Sequence, residues 1–244
     1  MGISAYYYAK KLLKFFINKL GFEIFSIKRS PKHNLLGLIK YPIRSIIDVG
    51  ANNGQFAKVF VPFFPEAEFY CIEPLPDVFN QLTSWAIQQK GKVKTFNYAI
   101  GDSQGISEMI LHVDHNYSSS LLKTTEYATS FYPQMKRQSP ISVNVTTLDS
   151  LVNDLSTPLV DDILIKLDVQ GYEDRVIRGG IDTFRKARAC ILEINIDHLY
   201  EYQANFRDLT NLLYNMGYRY IGNIDQTYAK DGHVLFIDSV FIRY

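Results

Sequence analysis

Short apolar segments alternate with segments of helical periodicity through most of this 244-residue chain. Five of the apolar segments read as buried strands, and they lie at residues 44–49, 67–73, 93–99, 162–168 and 189–194. Strands that alternate with helices predict a parallel sheet with helices covering both of its faces. This pattern constrains the fold more than any other feature of the sequence, and it indicates an α/β protein.

The end of the chain breaks the alternation. Two apolar segments, Tyr218–Ile224 and Val234–Ile242, are separated only by a turn-rich stretch at residues 225–233. Because a parallel return requires a crossover connection, these two strands must pair antiparallel. We therefore predict about five parallel strands and a terminal antiparallel pair, all within one domain that covers residues 41–244.

A basic amphipathic segment precedes this domain. Apolar residues recur at helical spacing within residues 1–20, and lysines lie between them. Residues 1–44 contain nine Lys and Arg and one acidic residue, so this segment carries +8 and the remainder −7. We predict an N-terminal helical appendage, residues 1–40, that packs on the domain or contacts a membrane surface. Because the positive charge lies at one end of the chain, nucleic acid is not expected as a partner.

The composition excludes several classes of protein. The two cysteines, Cys71 and Cys190, are too few for a disulfide framework, and both lie within apolar runs. They are expected to be buried free thiols, which suit a reducing cytoplasm. The longest apolar stretches are about eight residues, far below the ~20 that a membrane span requires. We therefore expect a cytoplasmic protein, either free or peripheral to a membrane.

Acidic residues follow four of the predicted strands, at Asp48, Glu73, Asp168 and Glu193. In an open α/β sheet, ligands bind beyond the carboxyl ends of the strands, so these side chains are candidates for one site. Asp48 leads into a glycine-containing loop, residues 50–54, that opens a helix. Such a loop suits an amino-acid carboxylate, and Asp48 suits the accompanying ammonium group. Its glycine spacing differs from the dinucleotide-binding fingerprint.

Two further strand ends carry specific expectations. Glu73 lies 25 residues after Asp48, a position from which a carboxylate can accept both hydroxyls of a ribose. Asp168 ends the strand expected at the centre of the sheet. A carboxylate without a partner there is costly, which favours a functional role for Asp168.

Seven segments of the chain resemble, in order, the FkbM-type methyltransferases: IIDVGANNGQFA, CIEP, NYAIGD, SSSLL, LIKLDVQGYE, LEINIDHLY and IDSVFIR. The resemblance extends over about residues 35–244. It implies a class I S-adenosylmethionine-dependent methyltransferase, usually one that methylates a hydroxyl of a sugar, a glycan or another small hydroxylated metabolite. It also implies a Rossmann-like, mostly parallel seven-stranded sheet with an antiparallel last strand.

The resemblance assigns roles to individual residues that surround S-adenosylmethionine. The residues it places around the methionine moiety are Asp48, Gly50, Asn52 and Gly54. Glu73 is placed at the ribose and Asp168 near the sulfonium. The residues it places around the adenine are Asn97, Ala99 and Asp102.

Methylation of a hydroxyl also requires removal of a proton, and the sequence leaves two mechanisms open. In the first, His198 or one of the carboxylates of Asp168 and Glu193 is the general base. In the second, Asp168 and Glu193 hold Mg²⁺, which polarises the acceptor oxygen, because this ion prefers oxygen ligands.

Two other functions compete with methyl transfer. A nicotinamide-dependent oxidoreductase would also use a glycine turn and Glu73, but the glycine spacing and the antiparallel ending argue against it. A non-catalytic relative would bind the cofactor, or a membrane or protein partner through the N-terminal helix.

Overall fold

The structure is a computed structural model that describes residues 2–22 and 30–244. Its strands are β1 (Ser45–Val49), β2 (Glu68–Ile72), β3 (Val93–Phe96), β4 (Ala99–Gly101), β5 (Gly105–His112), β6 (Gln138–Thr147), β7 (Ile163–Leu167), β8 (Ala189–Asn195), β9 (Tyr218–Tyr228) and β10 (Val234–Arg243). Its α-helices are α1 (Gly2–Lys19), α2 (Pro31–Asn34), α3 (Gln55–Phe60), α4 (Pro76–Ala86), α5 (Glu126–Phe131), α6 (Leu148–Asn153), α7 (Glu173–Arg178), α8 (Ile181–Lys186) and α9 (Phe206–Tyr214).

Seven strands form one sheet in the order β3-β2-β1-β7-β8-β10-β9. The five strands from β3 to β8 pair in parallel, whereas β10 pairs antiparallel with both of its neighbours, β8 and β9. The prediction of five parallel strands and a terminal antiparallel pair is therefore confirmed. The last strand lies inside the sheet rather than at its edge.

Both faces of the central strands are buried. In β1, Ile47 and Val49 pack into one apolar cluster, whereas Ile46 packs into the cluster on the opposite face. Alternating side chains of a strand point to opposite faces, so a strand with two covered faces reads as a continuous apolar run. Cys71 and Cys190 are buried free thiols, one in each cluster, as expected.

A second sheet of three strands was not predicted. Its order is β4-β6-β5, with β4 parallel and β5 antiparallel to β6. The predicted third strand, residues 93–99, ends at Phe96, and Ala99 already belongs to this second sheet. Most residues of β5 and β6 are exposed or half-buried, so their apolar alternation is weak and does not mark a sheet in the sequence.

The predicted N-terminal helix is confirmed as α1, and its apolar face is open to solvent. Several large apolar side chains are each more than half exposed, namely Leu12, Leu13, Phe15, Phe16 and Leu20. The alternative in which this face packs on the domain is therefore not observed for the described residues. The described residues include no helix with the length and apolar character that crossing a membrane requires.

Gly50 and Gly91 provide a matched pair for testing how closely β1 and β7 approach. Both have a left-handed backbone, with φ of +77° and +83°. A Cβ on Gly50 would lie 1.9 Å from the carbonyl oxygen of Asp168, whereas a Cβ on Gly91 would meet no atom within 4 Å in the described structure.

We expect Gly91→Ala to lower the free energy of unfolding by about 1–2 kcal/mol, the cost of the left-handed backbone alone. Gly50→Ala should lower it by more than ~4 kcal/mol, because a steric clash with backbone is added. Urea unfolding of both variants measures the difference. Equal losses would mean that Gly50 is not needed for close approach.

Candidate active site

A cavity of about 730 Å³ opens at the carboxyl ends of β1, β2, β7 and β8. This volume is typical of small-molecule sites. Six residues singled out in the sequence line it, namely Gly50, Asn52, Glu73, Ala99, Asp168 and Glu193. The sheet topology therefore brings together side chains that lie up to 143 positions apart in the chain.

Glu73 is fixed between two backbone N–H groups. Its Oε2 accepts a hydrogen bond from the Asn52 amide nitrogen at 2.9 Å, and its Oε1 accepts one from the Leu75 nitrogen at 2.9 Å. Only 4% of Glu73 is exposed, and burial raises its pKa to about 7 although both N–H groups oppose the shift. The carboxylate is thus held rigidly and retains lone pairs for a ligand.

Asp48 lies within β1 and is completely buried. Neither of its carboxylate oxygens has a hydrogen-bond partner in the described structure. Burial raises the pKa of Asp48 to about 6, and the Lys166 cation opposes that shift. Asp48 does not itself line the cavity, but it precedes the lining residue Gly50 by two positions. A buried carboxylate with no hydrogen bond is costly, so a cationic or hydrogen-bonding ligand would stabilise it.

A single amide joins the carboxylates that follow the two central strands. The Nε2 group of Gln170 donates to Asp168 Oδ1 at 2.8 Å and to Glu193 Oε1 at 2.6 Å. Lys166 Nζ lies 2.8 Å from the other Asp168 oxygen. Burial and the carboxylates of Asp168 and Asp238 raise the pKa of Glu193 well above its ordinary value. Glu193 therefore has the higher proton affinity expected of a general base, and the paired Lys166 cation favours the ionised form of Asp168.

Gln170 was not among the residues predicted from the sequence. Its backbone has φ of +57°, and its Oε1 accepts a hydrogen bond from the Tyr200 hydroxyl at 2.9 Å. The Ser120 hydroxyl donates to the Gln170 carbonyl at 2.8 Å, and Tyr200 also donates to the Ser118 carbonyl at 2.8 Å. The serine-rich loop, residues 116–120, thus helps to hold the amide that joins the two carboxylates.

Four predicted residues lie outside the cavity lining, namely Gly54, Asn97, Asp102 and His198. Gly54 packs against Leu82 and the Trp85 ring, and Asn97 donates to the carbonyls of Glu73 and Pro74. Both therefore support the walls of the site.

Asp102 and His198 are exposed. Asp102 follows the strand that ends at Gly101, and the His198 carbonyl accepts a hydrogen bond from the Thr125 hydroxyl. These positions correct the expectations that Asp102 contacts an adenine and that His198 is the general base. Tyr98, Ala99 and Ile100 line the cavity at the place where the adenine contact was expected.

The carboxylates of the site do not form a metal centre. No group of three or more His, Cys, Asp or Glu side chains is arranged to hold an ion among residues 2–22 and 30–244. Asp168 is hydrogen-bonded by Lys166 and Gln170, and Glu193 shares the same amide. The donor set therefore does not fit the Mg²⁺ alternative.

Aromatic and polar side chains line the rest of the cavity. Tyr117, Tyr132 and Tyr228 lie there together with Asn195 and Lys230. Asn195, the last residue of β8, was not predicted as a site residue. Its side-chain oxygen and nitrogen are both buried, and neither has a hydrogen-bond partner in the described part of the chain.

Comparisons with known proteins agree with this architecture. Over residues 48–220 the chain matches the family described as the Methyltransferase FkbM domain. The 2-O-methyltransferase NoeI of Sinorhizobium fredii is 28% identical over 186 residues, which cover 73% of this chain and 74% of that protein. The hexuronic acid methyltransferase AglP of Haloferax volcanii is 24% identical over 166 residues, which cover 68% of this chain and 59% of that protein.

Among solved structures, the magnesium protoporphyrin IX methyltransferase ChlM of Synechocystis PCC 6803 is similar, with 11% sequence identity and a TM-score of 0.45. The match covers 96% of this chain and 97% of that chain. The family match itself spans well over half of the 244 residues. The chain therefore belongs to the FkbM methyltransferase domain family.

Proposed function

We propose that this protein transfers the methyl group of S-adenosylmethionine to a hydroxyl group of a sugar or glycan. The observation that carries the proposal is one cavity that joins the glycine loop and Glu73 on one side to the Gln170-linked carboxylates of Asp168 and Glu193 on the other. The names of the two curated relatives, a 2-O-methyltransferase and a hexuronic acid methyltransferase, support a sugar as the acceptor.

The residues on the glycine-loop side fit S-adenosylmethionine. The buried carboxylate of Asp48 lacks a hydrogen bond in the described structure and would attract the ammonium group of the methionine moiety. Glu73 is held by two backbone N–H groups and has the chemistry to accept both ribose hydroxyls. When bound, this cofactor supplies a methyl group that is already activated as a sulfonium.

Glu193 is the base that this geometry favours. Its raised pKa gives it the proton affinity to accept a hydroxyl proton, and Gln170 fixes the position of its Oε1 atom. Asp168 lies between Lys166 and Gln170, where an ionised carboxylate would stabilise nearby positive charge. The protein's remaining task is to align the acceptor oxygen with the methyl group and to exclude water.

Replacing Glu193 tests this assignment. We expect Glu193→Gln to lower kcat by about 10²- to 10⁴-fold, the usual contribution of a general base. Binding of S-adenosylhomocysteine, measured by calorimetry, should remain at the wild-type level. Transfer of a labelled methyl group from S-adenosylmethionine to a panel of methyl glycosides measures kcat, and the wild-type rate should persist in EDTA.

Because the base must be ionised, the wild-type rate should rise with pH through the raised pKa of Glu193, and Glu193→Gln should lose this rise. Unchanged kcat in Glu193→Gln would remove Glu193 as the base. A wild-type protein that binds S-adenosylhomocysteine and methylates no glycoside would instead favour a non-catalytic relative.

Cofactor affinity should depend on pH through Glu73. Its pKa of about 7 means that lowering the pH protonates the carboxylate on which the ribose hydroxyls depend. The affinity for S-adenosylhomocysteine should therefore fall about tenfold between pH 8 and pH 6. Asp48, with a pKa of about 6, adds a further loss below that range.

The matched variant is Glu73→Gln, which keeps the shape of the side chain and removes its titration. It should weaken binding at pH 8 by about 1–3 kcal/mol and abolish the step near pH 7. Calorimetric titration at a series of pH values distinguishes the two proteins. The same pH profile in both would show that Glu73 does not contact the ligand.

We also propose that α1 binds an anionic membrane surface. Leu12, Phe16 and Leu20 are four residues apart and share one exposed face, whereas Lys10 and Lys14 share another. A helix with an open apolar face and a cationic face is typical of interfacial membrane binding. Because the first 44 residues carry +8, anionic lipid is the favoured surface.

Vesicle flotation of the full-length protein tests the role of α1. We expect the protein to float with phosphatidylserine vesicles at about 50 mM salt and to be released at about 500 mM, because salt screens the attraction. The double variant L12E/F16E should remain unbound. The control I87E/I106E changes two exposed residues outside α1 and should float like the wild type. Absence of wild-type flotation at low salt would contradict the proposal.

A further inference from the structure

We infer that Asn195 binds the acceptor hydroxyl adjacent to the one that is methylated, so that the acceptor is a vicinal diol. This inference rests on the proposed function, because it names the substrate class of the same site. It adds a residue that contacts the acceptor and a chemical requirement for the substrate.

The amide of Asn195 lacks partners that its burial would normally require. Asn195 is only 3% exposed, and both its Oδ1 and its Nδ2 are buried without a hydrogen bond in the described structure. A buried amide left in this state loses its hydration without compensation, and such groups are rare in folded proteins. Asn195 also lines the cavity, so a ligand there can provide the missing partners.

Asn195 and Glu193 act on the same region of the cavity. They are two positions apart in β8, so their side chains leave the strand on the same face, about 6.6 Å apart along it. Two adjacent hydroxyl groups, each within about 3 Å of one side chain, bridge such a separation. The hydroxyl at Glu193 is then the one that loses its proton, and its neighbour lies at Asn195.

The chemistry of the amide also fits a hydroxyl. A hydroxyl both donates and accepts, and the two ends of the Asn195 amide offer one acceptor and two donors. A carboxylate or a phosphate would satisfy only the donors, so it would leave Oδ1 without a partner. The neighbouring lining residues Tyr228 and Phe236 provide apolar surface for the carbon skeleton of a sugar ring.

The unpartnered state of Asn195 predicts an unusual combination of effects. Replacing an amide that has no hydrogen bond in the free protein should not lower its stability, whereas it should weaken acceptor use. We expect Asn195→Leu, which keeps similar side-chain volume, to have a thermal midpoint at or above that of the wild type. A residue with a purely structural role would show the opposite.

The decisive experiment compares the wild type with Asn195→Ala, using methyl glucopyranoside and its monodeoxy analogues as acceptors. In the wild type, removing the hydroxyl next to the methylated position should lower kcat/KM about 10- to 100-fold, mainly through KM. In Asn195→Ala the parent glycoside should show the same loss, and removal of that hydroxyl should have no further effect. Calorimetry with S-adenosylhomocysteine should give wild-type affinity for both proteins.

The outcomes separate this inference from the proposed function. Wild-type methylation of the parent glycoside together with unchanged kcat/KM in Asn195→Ala would overturn the inference and leave the proposed function standing. Equal losses on removing the adjacent hydroxyl in both proteins would also overturn it. Absence of wild-type transfer to every glycoside would overturn both.

Discussion

The site depends on the balance of charge around Lys166, a nearly buried cation at the centre of the sheet. Its Nζ lies 2.8 Å from Asp168, and its charge opposes the rise in the pKa of Asp48 caused by burial. Without this cation, Asp48, Asp168 and Glu193 would place several negative charges in a region of low polarity. Removing one partner of a buried ion pair typically costs about 3–5 kcal/mol, because the other charge is left uncompensated. Lys166 thus allows the carboxylates that serve the cavity to lie close together.

Much of the architecture could be predicted from the sequence, because it depends on local patterns. The apolar run of β1, with its acid and glycine loop, identifies both a buried strand and the edge of the sheet where ligands bind. The missing helix between β9 and β10 was sufficient to predict their antiparallel pairing. Strand ends are adjacent in any parallel sheet, so Glu73, Asp168 and Glu193 could be assigned to one cavity without coordinates.

The remaining features depend on contacts between distant segments. Gln170 is polar and follows a strand, but its function as a link between carboxylates is visible only once Glu193 and Tyr200 lie beside it. Asn195 likewise looks ordinary until its lack of partners in the described structure is known. The second sheet escaped prediction because its strands are largely exposed and carry little apolar alternation. His198 had suitable chemistry for a base, yet it follows β8 into an exposed position.

The position of β10 has a consequence for how the protein becomes functional during synthesis. This strand lies between β8 and β9, where Phe236 pairs with Asn195 and Asp238 pairs with Glu193. A nascent chain that has not yet released residues 234–243 from the ribosome therefore lacks one wall of the cavity, even after the five parallel strands have emerged. Competence for chemistry is thus delayed until translation has passed nearly the whole chain, and a prematurely terminated product would retain the glycine loop without a complete site.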